Sequence, residues 1–74
     1  MPRLIRLDRS GHSELARWEA GDRSGHDAAA ALLTDELDRG MIASANRGDG
    51  TAEVIRELPV DAELIVLRRP IVGG

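Results

Sequence analysis

The chain contains no cysteine, no lysine, no phenylalanine and no tyrosine, and its aromatic content is one tryptophan, Trp18. Without a thiol there is no disulfide, no thiolate metal site and no thioester on the chain's own side chains, so a cysteine-dependent transfer enzyme is excluded. With one aromatic residue, the core must be assembled from Leu, Ile, Val, Ala and Met. No apolar run approaches the roughly 18 residues of a spanning helix, and the first residues show no signal-peptide zoning, so a cytoplasmic protein with no membrane partner is expected. The formal charge is −3, with acids and arginines interspersed. No basic stripe is available to neutralise a phosphate backbone, which argues against nucleic acid as a partner. At 74 residues the chain is read as one domain. A chain this short buries only about 60% of its unfolded surface, so modest stability is expected.

All ten basic residues are arginine. GC-rich coding bias alone would produce this, and would suit the Ala, Gly and Asp usage as well. A second consequence is chemical: a chain without ε-amino groups offers no internal lysine as an amine acceptor, leaving only the α-amino group of Met1 and hydroxyls.

What is present is organised around the last fourteen residues, Asp61-Ala-Glu-Leu-Ile-Val-Leu-Arg-Arg-Pro-Ile-Val-Gly-Gly74. Leu64, Ile65, Val66 and Leu67 run without alternation, which predicts a strand buried on both faces and therefore central in its sheet. Arg68 and Arg69 then bring charge, Pro70 removes a backbone donor, and Gly73-Gly74 removes every side chain beyond Cα. A rigid anchor is expected over 1–69, passing at 70–74 into a slim tail that ends in a carboxylate. Ile71 and Val72 have no core to fill on such a tail, which points to an apolar groove on a partner.

Upstream, residues 2–8 read as a first strand with Ile5 and Leu7 on one face and Leu4 and Arg6 on the other. A turn at Ser10-Gly11-His12 leads to a second strand over 13–19, whose inward face is ambiguous between Leu15 and the Ala16–Trp18 pair. Ser24 followed by Asp27 fits a capping signature for a helix running to about Arg39, with Ala29, Ala30, Leu33 and Leu37 forming the apolar stripe. Thr34, Glu36 and Asp38 are assigned to water, and Gly40 to a left-handed cap. Residues 41–46 are a third strand, 47–50 a hairpin turn, and 51–58 a fourth strand with Ala52, Val54 and Leu58 alternating against Glu53 and Glu57. The element order is β-β-α-β-β-β, with the last strand beside the first.

The pentapeptide Asp8-Arg-Ser-Gly-His12 recurs unchanged as Asp22-Arg-Ser-Gly-His26. Both copies fall at a predicted chain reversal, where Asp and Ser can bond backbone donors around a permissive Gly. Two histidines without a third ligand do not define a metal site, so none is assigned. No nucleophile, base and orienting group converge, and no catalytic residue is assigned.

This order, together with Arg3–Trp18 as an opening hairpin and Glu63–Gly74 as a closing strand with arginines and Gly-Gly, resembles the β-grasp fold of the ubiquitin-like proteins. The resemblance implies an α+β domain: a mixed sheet of four to five strands with one helix packed across it. The terminal block is also similar to the bacterial sulfur carriers of molybdopterin and thiamin synthesis, where Pro and a small apolar residue precede Gly-Gly. Ubiquitin's tail lacks the Pro70-Ile-Val interruption, and its apolar surface patch has no residue-by-residue counterpart here.

The resemblance implies that an activating enzyme, using ATP, adenylates the Gly74 carboxylate, with Gly73 and Gly74 threading its channel. No cofactor is held by the chain itself. A modifier would pass to a target protein, with a conjugating enzyme and a deconjugating peptidase as further partners. A sulfur carrier would instead acquire a C-terminal thiocarboxylate. In either case Arg68, Arg69, Pro70, Ile71 and Val72 are the partner-binding tail. A third possibility is a β-grasp module that binds partners noncovalently.

Overall fold

The computed structural model describes residues 1–46 and 51–70. The predicted turn at 47–50 and the tail residues Ile71, Val72, Gly73 and Gly74 lie outside the described residues. The elements are β1 (Arg3–Asp8), β2 (Gly11–Arg17), α1 (Arg23–Asp38), β3 (Ile42–Asn46), β4 (Ala52–Ile55) and β5 (Leu64–Arg68). They form an α+β fold with one five-stranded open sheet in the order β2-β1-β5-β3-β4. The sheet is mixed: β1 and β5 run parallel, and the other neighbouring pairs are antiparallel.

The closing strand takes the central place its two-sided apolarity predicts. Ile65 and Leu67 are fully buried, joining Leu4, Ala43 and Ala45 in one core with Ala29 and Leu33 of the helix. The register explains this set, since Leu4 pairs with Ile65, and Leu67 with Ala43. Leu64 and Val66, on the opposite face, are only half-buried.

A bulge resolves the ambiguity of the second strand. Leu4 pairs with Ala16 but Ile5 with Glu14, so Leu15 is the extra residue. With the alternation broken there, Leu15 and Ala16 are both half-buried. The strand also starts earlier and ends earlier than the sequence suggests. Trp18 lies beyond it, buried in the core, with its N–H donating to the Pro2 carbonyl (3.2 Å).

The helix begins two residues before the place its Ser-x-x-Asp signature indicates. Asp22, not Ser24, is the N-cap, its side chain accepting from the Gly25 N–H (3.2 Å). The C-terminus ends as predicted: Gly40 has φ +93°, its N–H reaches Leu37 O, and the Met41 N–H reaches Glu36 O. These two bonds make a Schellman motif. Glu36 corrects the sequence assignment, being 8% exposed rather than solvated. Its spacing from Ala29 and Leu33 puts it on the buried stripe, and an arginine on β1 makes that position tolerable for a carboxylate.

The fourth strand is shorter than expected and opposite in phase. Ala43 pairs with Ile55 and Ser44 with Val54. Because Ala43 faces the core, so does Ile55, and Val54 is left 66% exposed. Leu58 is buried, but beyond the strand's end.

Candidate functional site

The site is built where three chain segments end together. β1 and β5 run parallel, so their C-terminal ends, Asp8 and Arg68, lie at the same margin of the sheet. Gly40 turns the chain from the helix into β3 at that margin, because β3 is antiparallel to β5 and begins opposite Arg68. The outgoing chain therefore leaves from the middle of the sheet, with neighbours on both sides. Arg68, Arg69 and Pro70 are exposed.

The two tail arginines do not act from one side. Arg68 pairs with Ile42 and shares the open face with Leu64 and Val66. Arg69 instead lines a cleft of about 570 Å³ with Arg6, Leu7, Glu36, Arg39 and Pro70. Sequence reasoning named Arg69 and Pro70 but missed Arg6, Glu36 and Arg39. The available signal was positional, since Glu36 falls on the helix's apolar stripe and Arg6 follows Leu4 on the same face of β1.

Inside the cleft, Arg6 Nη1 donates to Glu36 Oε1 at 3.3 Å, with the Glu36 side chain 10% and the Arg6 side chain 39% exposed. The carboxylate is thus compensated, and the part-exposed Arg6 side chain has more guanidinium donors than the one Glu36 takes. Among the described residues, the one ion pair of Arg39 is an exposed one with Asp35 on its own helix (3.2 Å). Among the described residues, Arg69 has no ion-pair partner. Asp8, at the rim, accepts from the Ser10 hydroxyl (2.7 Å) and the Ser10 N–H (2.9 Å). The hydroxyl bond chiefly, and then the backbone bond, hold its carboxyl below the ordinary value of 3.8.

The second copy of the repeat sits at the other end of the molecule and has a different conformation. In the first copy Asp8 stabilises a tight turn and Gly11 has φ +127°. In the second, Asp22 caps a helix, and Gly25 lies inside its first turn. His26 packs its ring edge-on to Trp18 (centroids 6.4 Å apart, 83°), with Nε2 3.2 Å from Leu58 O. The imidazole thereby ties the connector before β5 to the start of the helix. Among the described residues, no three His, Cys, Asp or Glu side chains group as metal ligands.

Compared with protein-family models, curated proteins and solved structures, the chain matches none. Among the described residues, no helix is long and apolar enough to cross a membrane.

Proposed function

We propose that the chain is a ubiquitin-like modifier of β-grasp fold, with a body over 1–69 and a tail over 70–74. The observation that carries this reading is the position of β5, central in the sheet and ending in exposed Arg68, Arg69 and Pro70. An end anchored in this way can be presented to another protein's active site without loosening the body, and Gly73-Gly74 adds no side chain to obstruct entry. In the cytoplasm, an activating enzyme would let the Gly74 carboxylate attack the α-phosphate of ATP, releasing pyrophosphate and leaving an acyl adenylate. A nucleophile of the conjugation pathway then displaces AMP, and the target's amine or hydroxyl receives the acyl group. The chain is the donor in this scheme and supplies no catalytic residue.

The test is peptide mass spectrometry on the native cell extract after incubation with ATP. Trypsin cuts after Arg68 but not between Arg69 and Pro70, so conjugated targets should carry residues 69–74 as a branched remnant. Absence of that remnant in an extract containing the full chain refutes the modifier reading. A sulfur carrier is the second reading, favoured by Pro70-Ile-Val-Gly-Gly. It predicts exchange of oxygen for sulfur on the intact chain and no branched remnant.

A further inference from the structure

The cleft at the foot of the tail has a chemistry of its own. The chain as a whole is acidic, with a formal charge of −3. Yet Arg6, Arg39 and Arg69, from three separate segments, line one concavity. Of the two acids that line it with them, Glu36 is held by Arg6, while Asp8, at the rim, accepts two bonds from Ser10 and keeps its charge, so the arginines outnumber the carboxylates three to two. Arg69 is unpaired among the described residues, and Arg39 is tied only through a pair of 67% and 60% exposed side chains. Such an exposed pair is worth little and exchanges readily. The concavity also has an apolar side. Leu7 is 42% exposed and Met41 is half-buried, and both line it together with Pro70.

We propose that this cleft is a docking site for an extended acidic segment of a partner protein, in which carboxylates alternate with apolar side chains. The guanidinium fork matches a carboxylate in two parallel bonds, so arginine rather than lysine suits this task. Leu7 and Met41 take the apolar side chains between the carboxylates. The part-buried Arg6–Glu36 pair holds one of the three forks in place, reducing the side-chain ordering that binding requires. The site goes beyond the conjugation reading, because it needs neither ATP nor a free Gly74 carboxylate.

The test is titration of the full ¹⁵N-labelled chain with the peptide acetyl-Glu-Leu-Glu-Leu-Glu-amide at low salt, followed by amide and arginine Nε–H chemical shifts. Saturable shifts confined to Arg6–Asp8, Arg39–Met41 and Arg69 are expected. They should weaken as salt rises, and be absent with the Gln-Leu-Gln-Leu-Gln counterpart. Arg69→Glu, at an exposed position outside the core, should keep the wild-type spectrum elsewhere and weaken binding about tenfold or more. Gly73→Ala should leave binding unchanged while abolishing conjugation, so the two readings fail separately. Non-saturable or dispersed shifts, equal binding by Arg69→Glu, equal response to inorganic phosphate, or the same shifts from self-association without peptide would each overturn the proposal.

Discussion

The same five letters occur twice in this chain with different conformations, so the same substitution made in each copy should act for two unrelated reasons. At Gly25 the backbone is helical, and helix propensity alone favours alanine by up to about 1 kcal/mol. Space argues the other way. A Cβ built there falls 2.6 Å from the Trp18 Cβ and 2.8 Å from Asp22 Oδ2. The first neighbour sits next to a backbone fixed by the Trp18 N–H bond to Pro2 O, so it cannot swing aside. The second belongs to the N-cap carboxylate, whose displacement costs about 1 kcal/mol. Overpacking against a buried aromatic adds about 1–3 kcal/mol. The clash therefore outweighs the propensity gain, and Gly25→Ala should destabilise by about 1–3 kcal/mol. With an unfolding entropy of about 0.16 kcal/mol/K for a chain of this length, Tm should fall by roughly 6–19 °C.

At Gly11 a Cβ meets nothing within 4 Å, but φ is +127°. There Gly11→Ala should cost about 1–2 kcal/mol through backbone strain alone. Thermal melts by circular dichroism and by fluorescence separate the two causes, because Trp18 is the single tryptophan and touches Gly25. Gly25→Ala should shift the native emission, whereas Gly11→Ala should lower Tm without altering it. A stabilised Gly25→Ala variant with unchanged emission would refute the packing argument.

Three further outcomes follow from the same geometry. Leu33→Ala, at a side chain 1% exposed, should cost about 3–4 kcal/mol out of a total of roughly 4–11 kcal/mol, and urea melts should show most of the native baseline gone. Asp8 is depressed in the folded state, so its contribution to stability is present above the unfolded carboxylate pKa and is lost as pH falls through the lower folded value. Its carboxyl resonance should titrate below 3.8, Ser10→Ala should raise the midpoint, and an unmoved midpoint would contradict the hydroxyl as first cause. Arg6→Ala should cost about 1–2 kcal/mol by stranding the buried Glu36. The double variant Arg6→Met, Glu36→Leu should return to within about 1 kcal/mol of wild type in urea melts, and equal losses in the two would refute the pairing argument.

Legibility in the sequence followed from whether a single physical cause acted at each position. The run Leu64–Leu67 carried a two-sided signal with no competing pattern, and both the centrality of β5 and its pairing with β1 were readable from it. Gly40 was equally clear, because a left-handed cap and the helix's end ask for the same residue. Misreadings arose where two causes competed. Asp22 and Ser24 are both good caps by residue type, and Asp22 takes the role at a turn where Gly25 lies against Trp18, a tertiary contact that local pattern does not show. At β4 the choice between Val54 and Ile55 was settled by the Ala43–Ile55 register, which depends on a strand distant in sequence. Glu36 was assigned to water on residue type, although its spacing placed it with Ala29 and Leu33. The tail-base cleft was legible only in the positions of Glu36 and Arg6, since its arginines are thirty or more residues apart and converge only through the sheet order.

The Arg6–Glu36 pair is hard to justify by stability alone. A small domain has little surplus, and an apolar pair of similar volume at a helix–sheet contact would serve it as well or better. What the pair adds is position. Glu36 lies one turn from the helix's end and Arg6 near the end of β1, so their bond reaches from the helix to the strand beside β5. It draws one arginine fork to the margin where Arg69 emerges, while its carboxylate is withdrawn from solvent. With Asp8 already at the rim, a second exposed carboxylate there would cancel the cleft's small excess of positive charge, and an apolar residue would leave Arg6 free to rotate into solvent. The arrangement keeps a cationic fork fixed beside the outgoing chain of a protein whose overall charge is negative. On the docking proposal its role is to present that fork to the partner segment, at little gain to the fold.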